Sequence, residues 1–289
     1  MASLKSLIPQ NVLSAMVEET LRKSLVFGDV VNTNYEGIIS SAGDSVLIPV
    51  IGDVTISDHA VNDTITYEAL DSTQAKLQID QQKRFAFAVD DVDSRQALID
   101  VAAAYADRAA YQLKDDSDQY IAALHSTAGV TTDLGTTTTP LTITAAATTG
   151  SNISAYEVLA RIAQGLDNAK VLTDGRWIII PPWLHGKLVM AGMLQYVAGD
   201  ANAYTNGSVG RIMGFDVRMS TNVVNYNTTG SKILAGTNQA ITFASQILNI
   251  ETIRLETKFG TGVRGMYVYG AKTVQSSALA CATLSTSAG

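Results

Sequence analysis

The stretch Lys83-Arg-Phe-Ala-Phe-Ala-Val-Asp-Asp-Val-Asp93 joins a strand pattern to the longest helical pattern of the chain. Its first part is rich in strand-forming residues, which predicts a strand over Phe85–Val89. Asp93 and Gln96 resemble a capping box, which predicts a helix over residues 93–125. At ~1.5 Å per residue, this helix is roughly 50 Å long. One apolar stripe follows it: Leu98, Val101, Tyr105, Ala109, Leu113, Tyr120 and Leu124.

The other side of this helix is charged, and we expect it to face solvent or a polar partner. It carries Arg95, Asp100, Asp107, Arg108, Lys114, Asp115 and Asp118. Adjacent residues of a helix point in different directions. We therefore interpret Asp115-Asp116 as part of a solvated face and not as a pair for acid–base catalysis.

Upstream of this strand, residues 44–82 form an extended pattern. Short strand-forming runs are separated by turns at Gly52-Asp53, Asn62-Asp63 and Asp71-Ser72. Few residues of the segment are able to pack its faces, so we predict a long hairpin arm and not a closed sheet. Ahead of it, residues 10–25 predict an amphipathic helix with Leu13, Met16, Val17, Leu21 and Leu25 on one face.

Downstream of the long helix, the pattern predicts a mixed subdomain. Residues 127–152 are rich in Thr, Ala and Gly, and we predict a loop or a small hairpin there. Ser154-x-x-Glu157 is a capping box that predicts a helix to about Ala169. Arg176–Ile180 predicts a central buried strand that Pro181-Pro182 ends, with a short helix through Leu184 and Met190 after it.

The last third of the chain predicts more strands. We expect strands over Ile212–Met219 and Lys232–Ala235 and a helix over Gln239–Leu248. Residues 250–258 and 264–275 alternate and predict a final hairpin across Gly260-Thr-Gly262. The fold class is therefore α+β.

Composition excludes several classes of protein. The chain has 289 residues, a net charge of −7, 46% hydrophobic residues and 16% charged residues. A chain this apolar is not disordered, and its acidic balance excludes nucleic-acid binding through general basicity.

The single Cys281 allows no intramolecular disulfide. The sequence has no secretion signal and no apolar stretch of the ~20 residues that span a bilayer. The low charged fraction suggests that much of the surface is buried against other copies.

The chemistry-bearing motifs are sparse, and we predict no catalytic residues, metal site or cofactor. Gly260–Gly265 matches G-x-G-x-x-G, but a strand pattern follows it where a dinucleotide site needs a helix. His59, His125 and His185 lie far apart and do not form a zinc ligand set. We interpret His125 as a cation at the C-terminus of the long helix, where the helix dipole favours it.

The order of these elements resembles that of tailed-bacteriophage major capsid proteins with the HK97-like fold. Residues 83–93 look like the strand of that family that runs into its spine helix. Arg176-Trp-Ile-Ile-Ile-Pro-Pro-Trp183 resembles the buried strand of its axial domain. Gly210-Arg-Ile-Met-Gly-Phe-Asp-Val-Arg-Met-Ser220 and Val268-Tyr-Gly270 resemble later segments. The resemblance covers about residues 10–275, and these motifs contain no catalytic residues.

The resemblance implies an α+β, HK97-like capsid fold with an N-arm, an extended β-hairpin loop, a long spine helix in a peripheral domain, and a central α/β axial domain. The implied segments are an N-terminal arm (1–43), the extended loop (44–82), the peripheral domain with the spine helix (83–127), the axial domain (128–245), return strands of the peripheral domain (246–275) and a C-terminal tail (276–289).

The resemblance also implies a structural, non-enzymatic function. The chain is expected to self-assemble into hexamers and pentamers of an icosahedral shell that encloses double-stranded phage DNA without sequence specificity. Assembly is expected in the host cytoplasm, with the virion as the final location, and with no membrane partner. A portal and decoration proteins are expected partners. Because the chain begins close to the predicted N-arm helix, we also expect a separate scaffolding protein and not a fused one.

Some relatives join subunits covalently through a Lys of the extended loop. Residues 24–75 contain no Lys or Arg, so we predict no cross-linking by that route. The same segment contains eight acidic residues, while the 19 acidic and 20 basic residues elsewhere almost cancel. We expect the acidic segment to meet basic residues of neighbouring subunits. The predicted intersubunit contacts are Leu13, Met16, Val17, Leu21, Ile51, Asp53, Val54, Ile56, Asp58, Asp63, Glu68, Arg84, Arg95, Arg108 and Lys114.

Three alternatives remain at the level of sequence. An encapsulin-type nanocompartment shell shares the fold and differs in cargo. An enzyme would need a cluster of perturbed titratable groups in a deep pocket. A surface-layer or fimbrial component is disfavoured by the missing secretion signal. For the capsid function, we expect that deleting residues 48–57 leaves a folded monomer that does not assemble.

Overall fold

Strands predominate in the part of the chain whose structure is described. A computed structural model describes residues 26–35, 45–51, 56, 58–59, 67, 72–90, 101–143, 152–190, 208–256 and 259–286. The helices are α1 (Val101–Ala123), α2 (Ala155–Asn168) and α3 (Pro182–Met190), with 3₁₀ turns at Leu124–Thr127 and Ser276–Ala278. The strands are β1 (Ser45–Ile51), β2 (Ser72–Gln78), β3 (Gln81–Asp90), β4 (Leu141–Ile143), β5 (Asn152–Ile153), β6 (Arg176–Ile180), β7 (Ser208–Ile212), β8 (Phe215–Met219), β9 (Val224–Asn227), β10 (Gly230–Thr237), β11 (Ile241–Arg254), β12 (Gly260–Thr273) and β13 (Leu279–Thr286).

The central sheet has the strand order β5-β4-β13-β10-β6-β8-β7, and β9 adds to β10. β6 lies inside this sheet, antiparallel to β10 and parallel to β8. All five of its residues are buried, which confirms the prediction of a central strand over Arg176–Ile180. The buried Arg176 guanidinium donates to Asp167 Oδ1 at 2.7 Å and to the Val171 carbonyl at 2.6 Å, so its charge is compensated at the end of α2.

Alternate residues of β6 point into two different hydrophobic cores. Ile178 and Ile180 belong to the first core, which α2 and α3 cover. Trp177 and Ile179 belong to the second core, which residues 26–31, the end of α1, and β11 and β12 cover. A sheet that is buried on both faces has continuous apolar strands. This explains why β6 has no polar alternation.

The capping-box helix is confirmed as α2. The Ser154 side-chain oxygen accepts the Glu157 backbone N–H at 3.1 Å, which satisfies one of the free donors at the helix start. Leu159, Ile162 and Leu166 are fully buried in the first core. The short helix after the proline pair is also confirmed, as α3.

A second sheet packs beside α1, and a hairpin packs on that sheet. β11, β12 and β3 form a three-stranded antiparallel sheet, and β1 pairs with β2 from Ser45↔Gln78 to Ile51↔Ser72. The base of the β1–β2 hairpin packs on the second sheet through a third core of Ile48, Leu77, Ile79, Ala244 and Val268. The strand at Phe85–Val89 and an antiparallel pairing within residues 44–82 are therefore confirmed. The predicted turn at Asp71-Ser72 is wrong at Ser72, which belongs to β2, and the turns at Gly52-Asp53 and Asn62-Asp63 lie outside the described residues. The long helix is confirmed from Val101, while its predicted start and the helix over residues 10–25 lie outside the described residues.

The predicted helix over Gln239–Leu248 is wrong, because this segment is the first half of β11. Ile241, Thr242 and Phe243 favour strands, and the antiparallel pairing with β12 runs from Ile241↔Thr273 to Arg254↔Thr261. A second chain segment also adds to this strand, since the Asn32 N–H donates to the Ile241 carbonyl at 3.0 Å. Tertiary pairing, which the helical spacing of this segment does not reveal, decides its conformation.

Two segments that were predicted to lie outside the core contribute to it. Within residues 127–152, Leu134 and Ile143 are fully buried, and β4 and β5 pair in parallel instead of forming a hairpin. Residues 276–289, predicted as a tail, contain β13, which lies between β10 and β4 in the central sheet. Small residues such as Ala, Gly and Thr in these two segments are able to occupy closely packed positions. They give little hydrophobic periodicity in the sequence, so the pattern does not predict a buried strand there.

Two turns also differ from the prediction. Ile212–Met219 is not one strand, because Met213 and Gly214 have φ of 51° and 83° and connect β7 to β8. Positive φ at both central residues is typical of a tight hairpin turn. Gly260–Gly262 does not form the turn of the final hairpin, because Gly260 pairs with Asp90 and Gly262 with Ala88. The G-x-G-x-x-G match thus lies inside a paired strand and forms no phosphate loop.

Candidate assembly surfaces

The β1–β2 hairpin combines an anchored base with an exposed far end. Ile48 and Leu77 at the base are 6% and 0% exposed, whereas Ile56 and Tyr67, between the two strands in sequence, are 96% and 94% exposed. Asp58 is also exposed. The described residues between β1 and β2 therefore expose two large apolar side chains and one acidic side chain.

Five of the predicted contact residues are exposed: Ile56, Asp58, Arg84, Arg108 and Lys114. Arg84 lies on β3, and Arg108 and Lys114 lie on α1, two elements that meet where the Phe87 and Tyr105 rings are 5.8 Å apart. Ile51 is in β1, paired with Ser72. The contacts predicted at other positions lie outside the described residues: Leu13, Met16, Val17, Leu21, Asp53, Val54, Asp63, Glu68 and Arg95. All these contacts stay predictions.

The prediction of a solvated carboxylate face on α1 is wrong at Asp115 and Asp118, whereas Asp116 is partly exposed. Asp115 and Asp118 are 4% and 2% exposed. Asp115 Oδ1 accepts the Asn222 side-chain N–H at 2.7 Å, which ties α1 to the segment after β8. Buried carboxylates persist when hydrogen bonds compensate them. Sequence alone gives no sign of these partners, because they lie about a hundred positions away.

The neighbouring Asp116 joins α1 to the second sheet. The Tyr269 hydroxyl donates to Asp116 Oδ2 at 2.6 Å, and Lys83 Nζ lies 3.1 Å from the same oxygen. The ring of Tyr269 packs against Tyr120 and Tyr267 at centroid distances of 5.4 and 5.3 Å. Burial and the Asp116 carboxylate raise the pKa of Tyr269 well above its usual value, so its hydroxyl stays a donor.

Asp118 accepts three successive backbone N–H groups. Val26 N–H lies 2.8 Å and Phe27 N–H 3.3 Å from Oδ2, and Gly28 N–H lies 2.9 Å from Oδ1. Burial raises the pKa of Asp118, while these three donors act in the opposite direction. Asp115, Asp116 and Asp118, within one turn of α1, thus contact three different parts of the chain.

His125 is not the cation that its position at the end of α1 predicts. Partial burial and the nearby Lys232 ammonium lower the pKa of His125, against a raising contribution from the Ala122 carbonyl. Lys232 Nζ lies 3.0 Å from His125 Nε2, a contact that requires a neutral acceptor nitrogen. Burial and the lysine brought by β10 therefore oppose the positive charge that the helix dipole would favour.

The described residues contain no group of three or more His, Cys, Asp or Glu side chains able to hold a metal ion. None of the described helices is long and apolar enough to cross a membrane. A surface cleft of about 440 Å³ lies between β2 and the end of β12, lined by Lys76, Asp80 and Lys272 among others.

Comparison with known proteins supports the resemblance to capsid proteins. A solved structure from Mycobacterium phage Che8 matches with 27% identity and a TM-score of 0.66, over 89% of this chain and 90% of its own. The capsid structure of cyanophage P-SCSP1u has 22% identity and a TM-score of 0.66, over 93% and 90%. The capsid of the native GTA particle has 10% identity and a TM-score of 0.62, over 91% of each chain. No family model and no curated protein matches the chain.

These matches define the class of protein. The chain has the mixed α/β fold of phage capsid structures, and it follows that fold over about nine-tenths of its length. The resemblance to tailed-phage major capsid proteins is thereby confirmed. The P-SCSP1u and GTA structures are those of capsids.

Proposed function

We propose that this chain is a major capsid protein that self-assembles into hexamers and pentamers of an icosahedral shell around double-stranded phage DNA. The observation that carries the proposal is the match to phage capsid structures over about 90% of both chains. Its role is structural and not enzymatic. An encapsulin-type shell is less favoured, because the matching structures described above are phage and GTA capsids.

The proposal assigns roles to the segments. Residues 1–43 are the N-arm, 44–82 the extended loop, 83–127 and 246–275 the peripheral domain with α1 as its spine helix, and 128–245 the axial domain. Since β13 is a strand of the central sheet, we add residues 279–286 to the axial domain. On this assignment most of the second sheet belongs to the peripheral domain, and the hydrogen bond from Tyr269 to Asp116 connects the sheet to the spine helix.

The exposed end of the hairpin supports the assignment of the extended loop. An isolated two-stranded hairpin is marginally stable in water, and here only its base contacts a core within the described residues. Ile56 and Tyr67 are almost fully exposed. Burying side chains of this size contributes about 1.5–3 kcal/mol each. A neighbouring subunit is the partner that the proposal implies for them.

The wider partners follow from the same proposal. The shell would hold DNA without sequence specificity, carry a portal and decoration proteins, and assemble in the host cytoplasm with the help of a separate scaffolding protein. The mature protein would reside in the virion. No covalent cross-link through a loop lysine is expected.

Negative-stain electron microscopy and sedimentation velocity of the expressed chain test the proposal directly. We expect closed shells, or capsomers that convert to shells in a crowding polymer. A chain that remains monomeric at high concentration, with and without polymer, would contradict the proposal.

A shortened hairpin tests the loop assignment. Deleting residues 48–57 is a poor design, because it removes the buried Ile48. Ile51 pairs directly with Ser72, so replacing residues 52–71 by Asn-Gly closes the hairpin with a favourable two-residue turn. We expect unchanged urea unfolding and loss of shells. Normal shells from this variant would refute the assignment, and Ile56→Ser with Tyr67→Ser provides a milder version with full loop length.

A further inference from the structure

The polar lining of the cleft between β2 and the end of β12 consists mostly of side chains that can donate hydrogen bonds. Lys76 and Gln78 come from β2, and Lys272 and Ser276 come from the end of β12 and the turn after it. The cleft has a volume of about 440 Å³, and clefts that bind small molecules usually enclose about 300–1,000 Å³. Ammonium, amide and hydroxyl groups together are suited to binding an oxyanion.

The alternation of side chains along β2 places two of these donors in the cleft. Lys76 and Gln78 are exposed, whereas Leu77 and Ile79 are buried in the third core. Successive side chains of a strand point to opposite faces. The apolar residues therefore hold the strand in place while the donors stay on the side of the cleft.

A close approach between β2 and β12 brings both lysines to the same cleft. A Cβ at position 270 would collide with the Gln78 carbonyl, so Gly270 permits this approach. Lys272 follows two residues later on β12 and is exposed, as Lys76 is. Neither lysine forms an ion pair within the described residues. Both ammonium groups are therefore available to a ligand.

Hydrogen bonds fix the side of the cleft that the 3₁₀ turn after α1 provides. The Thr127 hydroxyl donates to the Leu124 carbonyl at 2.7 Å, and Thr127 Oγ1 lies 2.5 Å from Thr273 Oγ1. Because Thr127 has a single hydroxyl hydrogen, Thr273 is the donor in the second contact. This link between the turn and β12 forms without a ligand, and a preorganised site binds at a lower cost in free energy.

The cleft is positively charged, although the whole chain has a net charge of −7. Its lining contains two lysines and one carboxylate, Asp80, which gives a charge of +1. The Tyr120 hydroxyl donates to Asp80 Oδ1 at 3.2 Å. Burial, together with Asp80, raises the pKa of Tyr120, so the tyrosine stays a donor. The carboxylate thus has a partner within the chain, and the charge of the lining favours an anion.

We propose that this cleft binds a phosphate group, with Lys76 and Lys272 as charged ligands and Gln78 and Ser276 as neutral donors. A phosphate group offers more acceptor oxygens than a carboxylate, which suits a cleft with several donor side chains. The phosphate belongs either to a small free phosphate compound or to the backbone of DNA. DNA as the source rests on the capsid function proposed above, whereas binding of free phosphate does not.

Titration of the unassembled full chain with inorganic phosphate, followed by NMR, tests the site. We expect the amide resonances of residues 76–78 and 272–276 to shift and to saturate with a dissociation constant of about 1 mM or below. Lys76→Gln combined with Lys272→Gln should weaken binding at least about tenfold, because hydrogen bonds from charged groups are the stronger ones. Urea unfolding of this variant checks that the fold is retained.

Two control variants separate the site from general electrostatic attraction. Lys76→Arg combined with Lys272→Arg keeps both charges and should bind phosphate within about fivefold of the wild type. Lys170→Gln removes an exposed charge from the loop after α2, outside the lining of this cleft. Because salt screens exposed charges, this variant should stay within about twofold of the wild type.

A short DNA duplex, titrated by fluorescence anisotropy at several salt concentrations, distinguishes the two sources of phosphate. Each lysine that contacts the DNA backbone contributes about −0.9 to the slope of log K against log salt. A slope that is smaller by about 2 in the Lys76→Gln, Lys272→Gln variant identifies the DNA backbone as the source. Phosphate binding without this change in slope identifies a free phosphate compound.

Two results would overturn the proposal. The first is inorganic phosphate that leaves these resonances unshifted or binds the double glutamine variant as tightly as the wild type. The second is acetate that binds the cleft as tightly as phosphate, which would favour a carboxylate of a protein partner instead. Failure of the chain to form shells would refute the capsid function and would leave the phosphate titration unaffected.

Discussion

The two-sided burial of β6 predicts that neighbouring isoleucines on opposite faces contribute about equally to stability. Ile178 in the first core and Ile179 in the second are both 0% exposed. Replacement by Ala removes three carbon atoms, which lose roughly 0.8 kcal/mol each on transfer from a buried site. A cavity contribution adds to this, so we expect each variant to lose about 2–5 kcal/mol of the free energy of unfolding.

Equilibrium urea unfolding of the unassembled chain, followed by tryptophan fluorescence, measures both losses. Trp177 is buried beside the two isoleucines and Trp183 packs on the first core, so the signal reports on this region. Leu172→Ala is the control, since Leu172 is 76% exposed, and we expect a change within about 0.5 kcal/mol. A loss below about 1 kcal/mol for one of the two isoleucine variants would show that one face of the sheet is solvated and would refute the two-core arrangement.

Three further predictions concern local chemistry. The pKa of His125 is lowered in the fold, so the unfolded chain binds a proton first as the pH falls below about 6.5. The free energy of unfolding should therefore decrease on acidification. His125→Gln should flatten this pH dependence between pH 8 and 5 in urea titrations, and an unchanged slope would contradict a lowered pKa of His125. Burial raises the pKa of Cys281 to about 11. We expect thiol reagents at pH 8 to label this residue only as fast as the central sheet unfolds. Rapid labelling of the native chain would contradict a buried position of β13 in the central sheet. Ser154→Ala removes the N-cap of α2 and should lower the free energy of urea unfolding by about 1 kcal/mol. Ser126→Ala, at an exposed 3₁₀ turn, is the control and should change that free energy little. Equal losses for the two variants would argue against the N-cap.

The elements that were predicted correctly carry their signal within a few residues. β6 is a short apolar run ended by a proline pair, and α2 begins at a capping box whose hydrogen bond forms as expected. Local patterns of this kind do not depend on the rest of the chain. The general resemblance to capsid proteins rests on the order of such elements.

The failures occurred where a distant partner decides the outcome. Gln239–Leu248 has apolar residues at helical spacing, but β12 and Asn32 pair with its backbone. β13 consists largely of small residues, and its burial follows from the strands on both sides of it. A propensity argument contains no information about such partners.

The buried carboxylates show the same limit for the candidate assembly site. Acidic residues are seldom buried without partners, so the sequence favours exposed positions for Asp115, Asp116 and Asp118. Asp115 and Asp118 are nevertheless buried, and Asp116 is partly buried. Their partners are Asn222, Tyr269 and the backbone at residues 26–28. No spacing in the sequence reveals these pairs. Among the exposed residues of the loop, Ile56 and Asp58 are predicted contacts, whereas Tyr67, which is 94% exposed, is not predicted from the sequence. The acidic character of residues 24–75, with eight acidic and no basic side chains, is visible in the composition.

The acidic residues of segment 24–75 have different surroundings, because one pairs within the chain and another is exposed. Asp29 lies 3.6 Å from Arg218 of the same chain, so one of the eight acidic side chains pairs with a basic residue within the chain. Asp58 is exposed in the same loop as Ile56 and Tyr67. Apolar contacts contribute most of the free energy of association but little orientation, whereas charge complementarity steers encounter and suppresses wrong partners. A loop that carries both kinds of group is therefore suited to a shell whose subunits must bind neighbours firmly and in one register.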